Sequence, residues 1–214
     1  MVRSIRRVAL ISFLAGFLPA LFIPEARALH VAVPLAAQRN ARVLHRNLAE
    51  LTSDAYTIVA GRVTSVRYET HPQFSNIHTV VVKMDVLEVW KGQASGEFTF
   101  RLFVDDPIDM QTNLGYRPGQ EVLLFMTQPS QYGMSSPAGL DQGIFLISRD
   151  AQGNRLVRNG VNNFGLFAKI DQSAPALKAR LSAQSRQVAT DLKSGPMTYD
   201  QLKEMVRVLQ AGSR

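Results

Sequence analysis

The sequence predicts a mainly β fold in which five long, bent strands close into a small antiparallel barrel. Five segments between residues 56 and 150 alternate apolar and polar side chains, which is the pattern of half-buried strands. The two longest segments each contain a feature that bends a strand: Gly61 in the first, and a slip in the alternation after Val86 in the second. Closure of a small barrel requires such bends. The chain has no cysteine, so its core rather than disulfides must hold the fold together.

The first 28 residues predict a secretory signal peptide. Three arginines lie within the first seven residues, an uncharged apolar run follows at residues 8–23, and Ala26-Arg27-Ala28 offers a cleavage site. A transmembrane anchor is the alternative, but the run is shorter than the roughly 20 residues needed to span a bilayer, and Pro19 interrupts it. We therefore expect a periplasmic or secreted protein that contacts a membrane only through an uncleaved leader.

The charge of the chain is unevenly distributed. The formal net charge is +7, of which residues 1–28 contribute +3, so residues 29–214 carry +4. Residues 29–154 have a net charge of −2, whereas residues 155–214 have +6. A basic tail can contact nucleic acid or an anionic surface. Its basic residues are spread out and lack interleaved aromatic residues, so we interpret it as a solvated linker and helix face and expect no nucleic-acid partner.

A linker and a short helix precede the strands. Residues 29–44 show no clear periodicity, which predicts a linker. Asn40 is suited to cap a short helix whose apolar face is formed by Leu44, Leu48 and Leu51. The polar residues 52–54 are expected to end this helix.

Five strands follow, separated by turn-forming residues, and they read YTIVAGRVTSVRYE, IHTVVVKMDVLEVW, EFTFRLFVD, QEVLLFMTQ and GIFLISRD. The second is expected to end at Gly92, which allows the backbone to leave the strand with a positive φ. The turn AQGN joins the fifth strand to a further segment, RLVRNGV.

The C-terminal part of the chain is expected to end in a helix. Residues 171–195 are rich in alanine, serine and glutamine, and their composition fits either a linker or a helix. Thr198 and Gln201 match a capping box, which predicts a helix over residues 198–210. Its apolar face would consist of Leu202, Met205, Val206 and Leu209.

Three short motifs occur in a recognisable order: a Ser-Asp pair before the first strand, a strand that ends in Lys-Gly, and a fourth strand that follows a glycine. Here they are Ser53-Asp54, Lys91-Gly92, and Gly119 with Val122-Leu123. Over about residues 45–150 the chain thereby resembles a family of uncharacterised exported bacterial proteins. More distantly, it resembles the N-terminal domain of the tissue inhibitors of metalloproteinases. The resemblance implies an OB-like, five-stranded Greek-key barrel.

The resemblance also sets the expected domain boundaries, but it does not carry the inhibitor's activity. In that family the N-terminal cysteine of the mature chain chelates the zinc of the protease, and this chain has no cysteine. The expected organisation is a signal peptide at 1–28, a linker at 29–44, an OB-like barrel at 45–170, and a linker with a C-terminal helix at 171–214.

The chain lacks a strong catalytic or metal-binding motif. Its four histidines do not form an H-E-x-x-H pattern, and neither a G-x-S-x-G nor a glycine-rich phosphate loop is present. His71 and His78 flank one loop and are read as exposed loop-edge residues rather than metal ligands. Asp105, Asp106 and Asp109 are suited to calcium, but they lack the spacing of an EF-hand. We therefore expect no metal and no cofactor.

The sequence favours an exported, non-catalytic binding module whose partner is a protein or an envelope component, and an inhibitor is a special case of such a module. The alternative is a periplasmic enzyme whose site is built from loop carboxylates. Recognition is expected in surface loops, because rigid scaffolds commonly bind through their loops. The candidate binding residues are Tyr68, His71, Phe74, Asp105, Asp106, Asp109 and Tyr116.

Overall fold

The strands form one seven-stranded antiparallel sheet in the computed structural model, which describes residues 44–104 and 115–212. Its order along the sheet is β3-β2-β1-β4-β5-β6-β7. The strands are β1 (Thr57–His71), β2 (Phe74–Lys91), β3 (Glu97–Phe103), β4 (Glu121–Met126), β5 (Ile144–Arg149), β6 (Arg155–Asn159) and β7 (Met197–Thr198). The predicted signal peptide and most of the predicted linker at 29–44 lie outside the described residues.

The mainly β class is confirmed, whereas the strand count differs from the predicted five. RLVRNGV contains a full strand, β6, which pairs with β5 through five residues on each side. Residues 197–198 then add β7 to the edge of β6, so the sheet uses residues beyond the predicted barrel boundary at 170. In the strand ladder the sheet is open, with β3 and β7 at its two edges.

The predicted bends coincide with irregularities in the pairing of β1 with β2. Ala60 pairs with Glu88 but Gly61 pairs with Val86, so Leu87 has no partner and forms a bulge. This is the position at which the alternation slips in the sequence. The extra residue turns Leu87 outward, where 52% of its surface is exposed. The slip in the sequence is therefore a bulge that coils the two longest strands.

Both faces of β4 and of the first five residues of β1 are buried, against two separate hydrophobic clusters. Ile58 and Leu123 face the cluster that includes the helices, whereas Val59 and Leu124 face the second cluster. In the second cluster the curled sheet packs on itself, through Met84 of β2 and other residues of β2 and β3. Strands covered on both faces read as continuous apolar runs rather than as alternation, which explains VLLFM in β4.

The N-terminal helix is present, but its cap and its apolar face differ from the prediction. Helix α1 spans Leu48–Asp54, and Asn47 rather than Asn40 caps it. The side chain of Asn47 accepts a hydrogen bond from Glu50 N at 3.1 Å, and Asn47 N donates one to Glu50 Oε2 at 2.8 Å. Leu44 therefore precedes the helix, and 75% of its surface is exposed.

Four further helices follow β6: α2 (Ile170–Ser173), α3 (Leu177–Arg180), α4 (Ala183–Asp191) and α5 (Tyr199–Gly212). The first three lie where the sequence allowed a linker or a helix, and Leu177 and Leu181 of this region are buried in the helical cluster. Helix α5 is the predicted C-terminal helix. Thr198 Oγ1 accepts from Gln201 N and Gln201 Oε1 accepts from Thr198 N, both at 3.2 Å, so the predicted capping box is confirmed.

The end of β2 is fixed by contacts with α1 and with the start of β1. Lys91 Nζ donates to Thr52 O at 2.7 Å and so satisfies a carbonyl in the last turn of α1. Gly92 has a φ of +77°, and a β-carbon there would lie 2.9 Å from Tyr56 O. Positive φ and this close approach both explain why glycine follows Trp-Lys.

Candidate functional site

The turn between β1 and β2 brings two of the predicted site residues together. Only Pro72 and Gln73 separate the strands, so His71 pairs with Phe74 across the hairpin. Their rings stack with centroids 5.1 Å apart, and the Phe74 ring meets the Tyr132 ring edge-on at 5.1 Å. The cluster thus joins the hairpin to the loop that follows β4.

His71 is buried, and both of its ring nitrogens bind backbone groups. Gln73 N donates to Nδ1 at 3.2 Å, and Nε2 lies 3.0 Å from Tyr132 O. These partners assign the neutral tautomer with its proton on Nε2. A histidine with both nitrogens occupied cannot serve as a general base or a metal ligand without releasing the hairpin or the loop. Its role in this geometry is to fasten the loop to the hairpin.

The loop after β4 is held by backbone hydrogen bonds on both sides of Tyr132. Ser130 N donates to Met134 O at 2.7 Å, which closes a tight turn with Tyr132 near its tip. Ser135 N donates to Arg101 O at 2.9 Å, and this bond ties the loop to β3. Arg101 is itself fixed, because it pairs with Glu69 at 2.6 Å. The turn therefore rests on a rigid part of the sheet.

We call residues 71–78 and 128–136 the tip surface. Most of its side chains are exposed, including 44% of Tyr132. Sequence reasoning missed Tyr132, because it lies 61 residues from its partner His71. The turn-rich segment QPSQYGMSSP, in which one aromatic residue stands among small polar ones, was the available signal.

The other predicted site residues have different positions. Tyr68 lies on β1 and is 42% exposed, and partial burial raises the pKa of its hydroxyl. Tyr116 lies in the loop before β4, as predicted, but it is buried against Phe100 in the second cluster, so it is a core residue rather than a surface residue that could bind a partner. Burial raises the pKa of the Tyr116 hydroxyl, which has no hydrogen-bond partner within the described ranges. Asp105, Asp106 and Asp109 lie outside the described residues.

A half-open groove of about 770 Å³ lies between α1, the start of α3 and the end of α5. Its charged residues are Glu50, Lys91 and Arg180. The Glu50 carboxylate accepts a hydrogen bond in the cap of α1, and Lys91 Nζ donates one to the carbonyl of Thr52. Burial lowers the pKa of Lys91, and the charge of Asp54 opposes that change. The described residues of the groove include no paired nucleophile and base, and two of its three charged residues, Glu50 and Lys91, support the ends of α1.

A second group of ionisable side chains joins β2 to α5, and its members are paired with one another. Tyr199 Oη donates to Glu88 Oε2 at 2.7 Å, and Lys203 forms an ion pair with the same carboxylate. Burial alone would raise the pKa of Glu88, but hydrogen bonds from Lys203 and Tyr199 hold it below its usual value. The Arg155 guanidinium lies 3.8 Å from the centre of the Tyr199 ring. Because these groups satisfy one another, the cluster fastens the helix to the sheet.

Metal ligands are also lacking in the described part of the chain. No group of three or more histidine, cysteine, aspartate or glutamate side chains there is placed to hold a metal ion. His78, the second histidine of the predicted loop, is exposed and pairs with Thr70 across the hairpin. The two histidines therefore differ in their surroundings, and only His71 is part of the aromatic cluster.

Comparison of the chain with protein-family models, with curated proteins and with solved structures found no match. In residues 44–104 and 115–212, no helix is long and apolar enough to cross a membrane. Among the described residues, the tip surface combines exposed aromatic and polar side chains with a backbone fixed by hydrogen bonds.

Proposed function

We propose that this chain is an exported, non-catalytic binding module whose tip surface recognises a protein or an envelope component. The observation that supports this most is the cluster of His71, Phe74 and Tyr132. It holds an exposed tyrosine on a turn that backbone hydrogen bonds fix on both sides. Because this surface is already ordered, the module loses little conformational freedom when a partner binds. Preorganisation of this kind favours tight binding. An inhibitor that acts through such a loop is one form of this function.

The composition of the tip surface also favours binding over chemistry. Tyrosine, serine, asparagine and glycine dominate the loops of binding proteins, because tyrosine supplies contact area while small polar residues adapt their hydrogen bonds. The tip surface contains Asn76, Tyr132 and Gly133 among several serines. Its one buried histidine has no nitrogen left for proton transfer.

We also propose that the coiled half of the sheet is an OB-like barrel, as the resemblance to exported bacterial proteins and metalloproteinase inhibitors implies. The support comes from the segment after β4. Thr127 N donates to Ser136 O at 2.9 Å, so the segment runs back along β4. Ser135 N then reaches Arg101 O of β3. Backbone bonds thereby lead from β4 through this segment to β3, β2 and β1, and β1 pairs with β4 again.

A capture experiment tests the proposed function. The full chain is immobilised and exposed to an envelope extract of the cells that produce it, and bound material is quantified by mass spectrometry and sugar analysis. We expect Tyr132→Ala to lower the retained amount of the partner about tenfold, because an exposed aromatic residue at an interface centre commonly carries that much binding energy.

Phe164→Ala is the matched control, because Phe164 is 66% exposed and lies outside the tip surface. It should retain the partner like the parent chain, and both variants should melt within a few degrees of the parent. Equal retention by Tyr132→Ala and the parent would place the binding site elsewhere. Conversion of the bound material into a product would favour the alternative function, a periplasmic enzyme.

A further inference from the structure

Charged side chains are missing from the tip surface and from the residues that directly flank its two segments. Residues 70–82 and 122–140 contain no Asp, Glu, Lys or Arg, although these make up 19% of the whole sequence. The only ionisable side chains in the two segments are two histidines and Tyr132. We propose that the tip surface binds a neutral oligosaccharide, an inference that rests on the proposed function.

The polar groups of the tip surface match those of a sugar. Exposed amides at Gln73, Asn76, Gln128 and Gln131 offer both donors and acceptors, as do the hydroxyls of the neighbouring serines. Gln73 donates to His71 through its backbone N–H, so that hydrogen bond does not use its side-chain amide. Sugar hydroxyls also donate and accept, so they can pair with amides without either partner carrying a charge.

Tyr132 supplies the apolar contact that a sugar ring requires. One face of a pyranose presents C–H groups, which pack on an aromatic ring, while its hydroxyls point outward to polar partners. Phe74 contacts the Tyr132 ring edge-on, and His71 fixes the Tyr132 backbone, so the exposed part of the ring is held in one place. Two exposed amides, Gln128 and Gln131, precede Tyr132 in the same segment.

The absence of charge argues against the other polymers that exported proteins encounter. Nucleic acids and anionic glycans bind largely through lysine and arginine, which release counterions from the polymer. The tip surface has neither residue. A charged protein partner would require complementary charges on the module to orient it. A neutral glycan is the partner whose recognition needs aromatic, amide and hydroxyl groups alone.

A printed array of neutral and acidic oligosaccharides tests this inference with the full chain. We expect retention of neutral glycans, and an affinity that changes by less than about twofold between 50 and 500 mM NaCl, because no ion pairs are screened. Tyr132→Ala should weaken binding by about tenfold or more, whereas Tyr132→Phe should stay within about threefold of the parent because the ring remains. Phe164→Ala should bind like the parent.

Three results would overturn the sugar assignment: no glycan retained, retention of acidic glycans alone, or equal binding by the parent and Tyr132→Ala. The two proposals fail separately. If the array is blank but the capture experiment yields a protein that Tyr132→Ala loses, the tip surface still binds and only its ligand class is wrong. If Tyr132→Ala changes neither experiment, both proposals fail.

Discussion

Replacing Gly61 with valine is expected to lower the free energy of unfolding by about 2–4 kcal/mol, because overpacking a tight site typically costs about 1–3 kcal/mol and here also disturbs a strand pairing. A β-carbon at Gly61 would lie 2.5 Å from the carbonyl oxygen of Asp85 and against the methyl group of Met84. The methionine side chain can move, but the backbone of β2 cannot move without breaking its ladder. A urea melt of the variant measures the loss.

Thr64→Val is the matched control for Gly61→Val. Thr64 is exposed on the same strand. It lies between Val63 and Ser65 and has no partner residue in the pairing of β1 with β2. Valine favours strands, so this variant should unfold within about 0.5 kcal/mol of the parent. A Gly61→Val variant as stable as Thr64→Val would mean that β1 and β2 are not as close at this point as described.

Replacing Asn163 with alanine is expected to cost about 3–4 kcal/mol, since each buried polar group left without a partner costs about 1–3 kcal/mol. Asn163 is fully buried, and its side chain donates to Val157 O at 3.1 Å and to Gly195 O at 2.8 Å. It also accepts from Asn159 N at 2.9 Å. Its φ of +56° adds backbone strain for alanine.

Asn162→Ala isolates the backbone part of that cost. Asn162 has nearly the same φ, +57°, but its side chain is exposed. We expect this control to lose at most about 1 kcal/mol, because asparagine already has a β-carbon and differs from alanine only in tolerating the left-handed conformation better. Chemical denaturation of both variants gives the difference. Equal losses would show that the hydrogen bonds of Asn163 contribute nothing measurable.

Local features of the fold could be predicted from the sequence, because their signals lie within a few residues. The slip after Val86 marks the bulge at Leu87, and Thr198 with Gln201 marks the start of α5. The cap of α1 had an equally local signal, because Asn47 precedes Glu50 by three residues, as a capping box requires. Asn40 offers a competing local signal, because it lies four residues before Leu44, the first leucine of the predicted apolar face.

Long-range features could not be predicted in the same way. The pairing of Met197 with Val157 joins segments forty residues apart, and a two-residue strand has no periodicity of its own. For the site, the sequence placed His71 and Phe74 in one loop. The link from His71 to Tyr132 depends on how two separate loops meet at one end of the sheet. Likewise, the loop position of Tyr116 suggests an exposed side chain, and only its packing against Phe100 shows that it is buried.

The central claim is that the tip surface is where this chain meets its partner, and site-specific photo-cross-linking in the producing cell tests it most directly. A benzophenone amino acid replaces Tyr132 in one variant and Phe164 in another, since both side chains are substantially exposed. We predict a cross-linked product from position 132 and none from position 164. A product from position 164 with none from position 132 would contradict the claim.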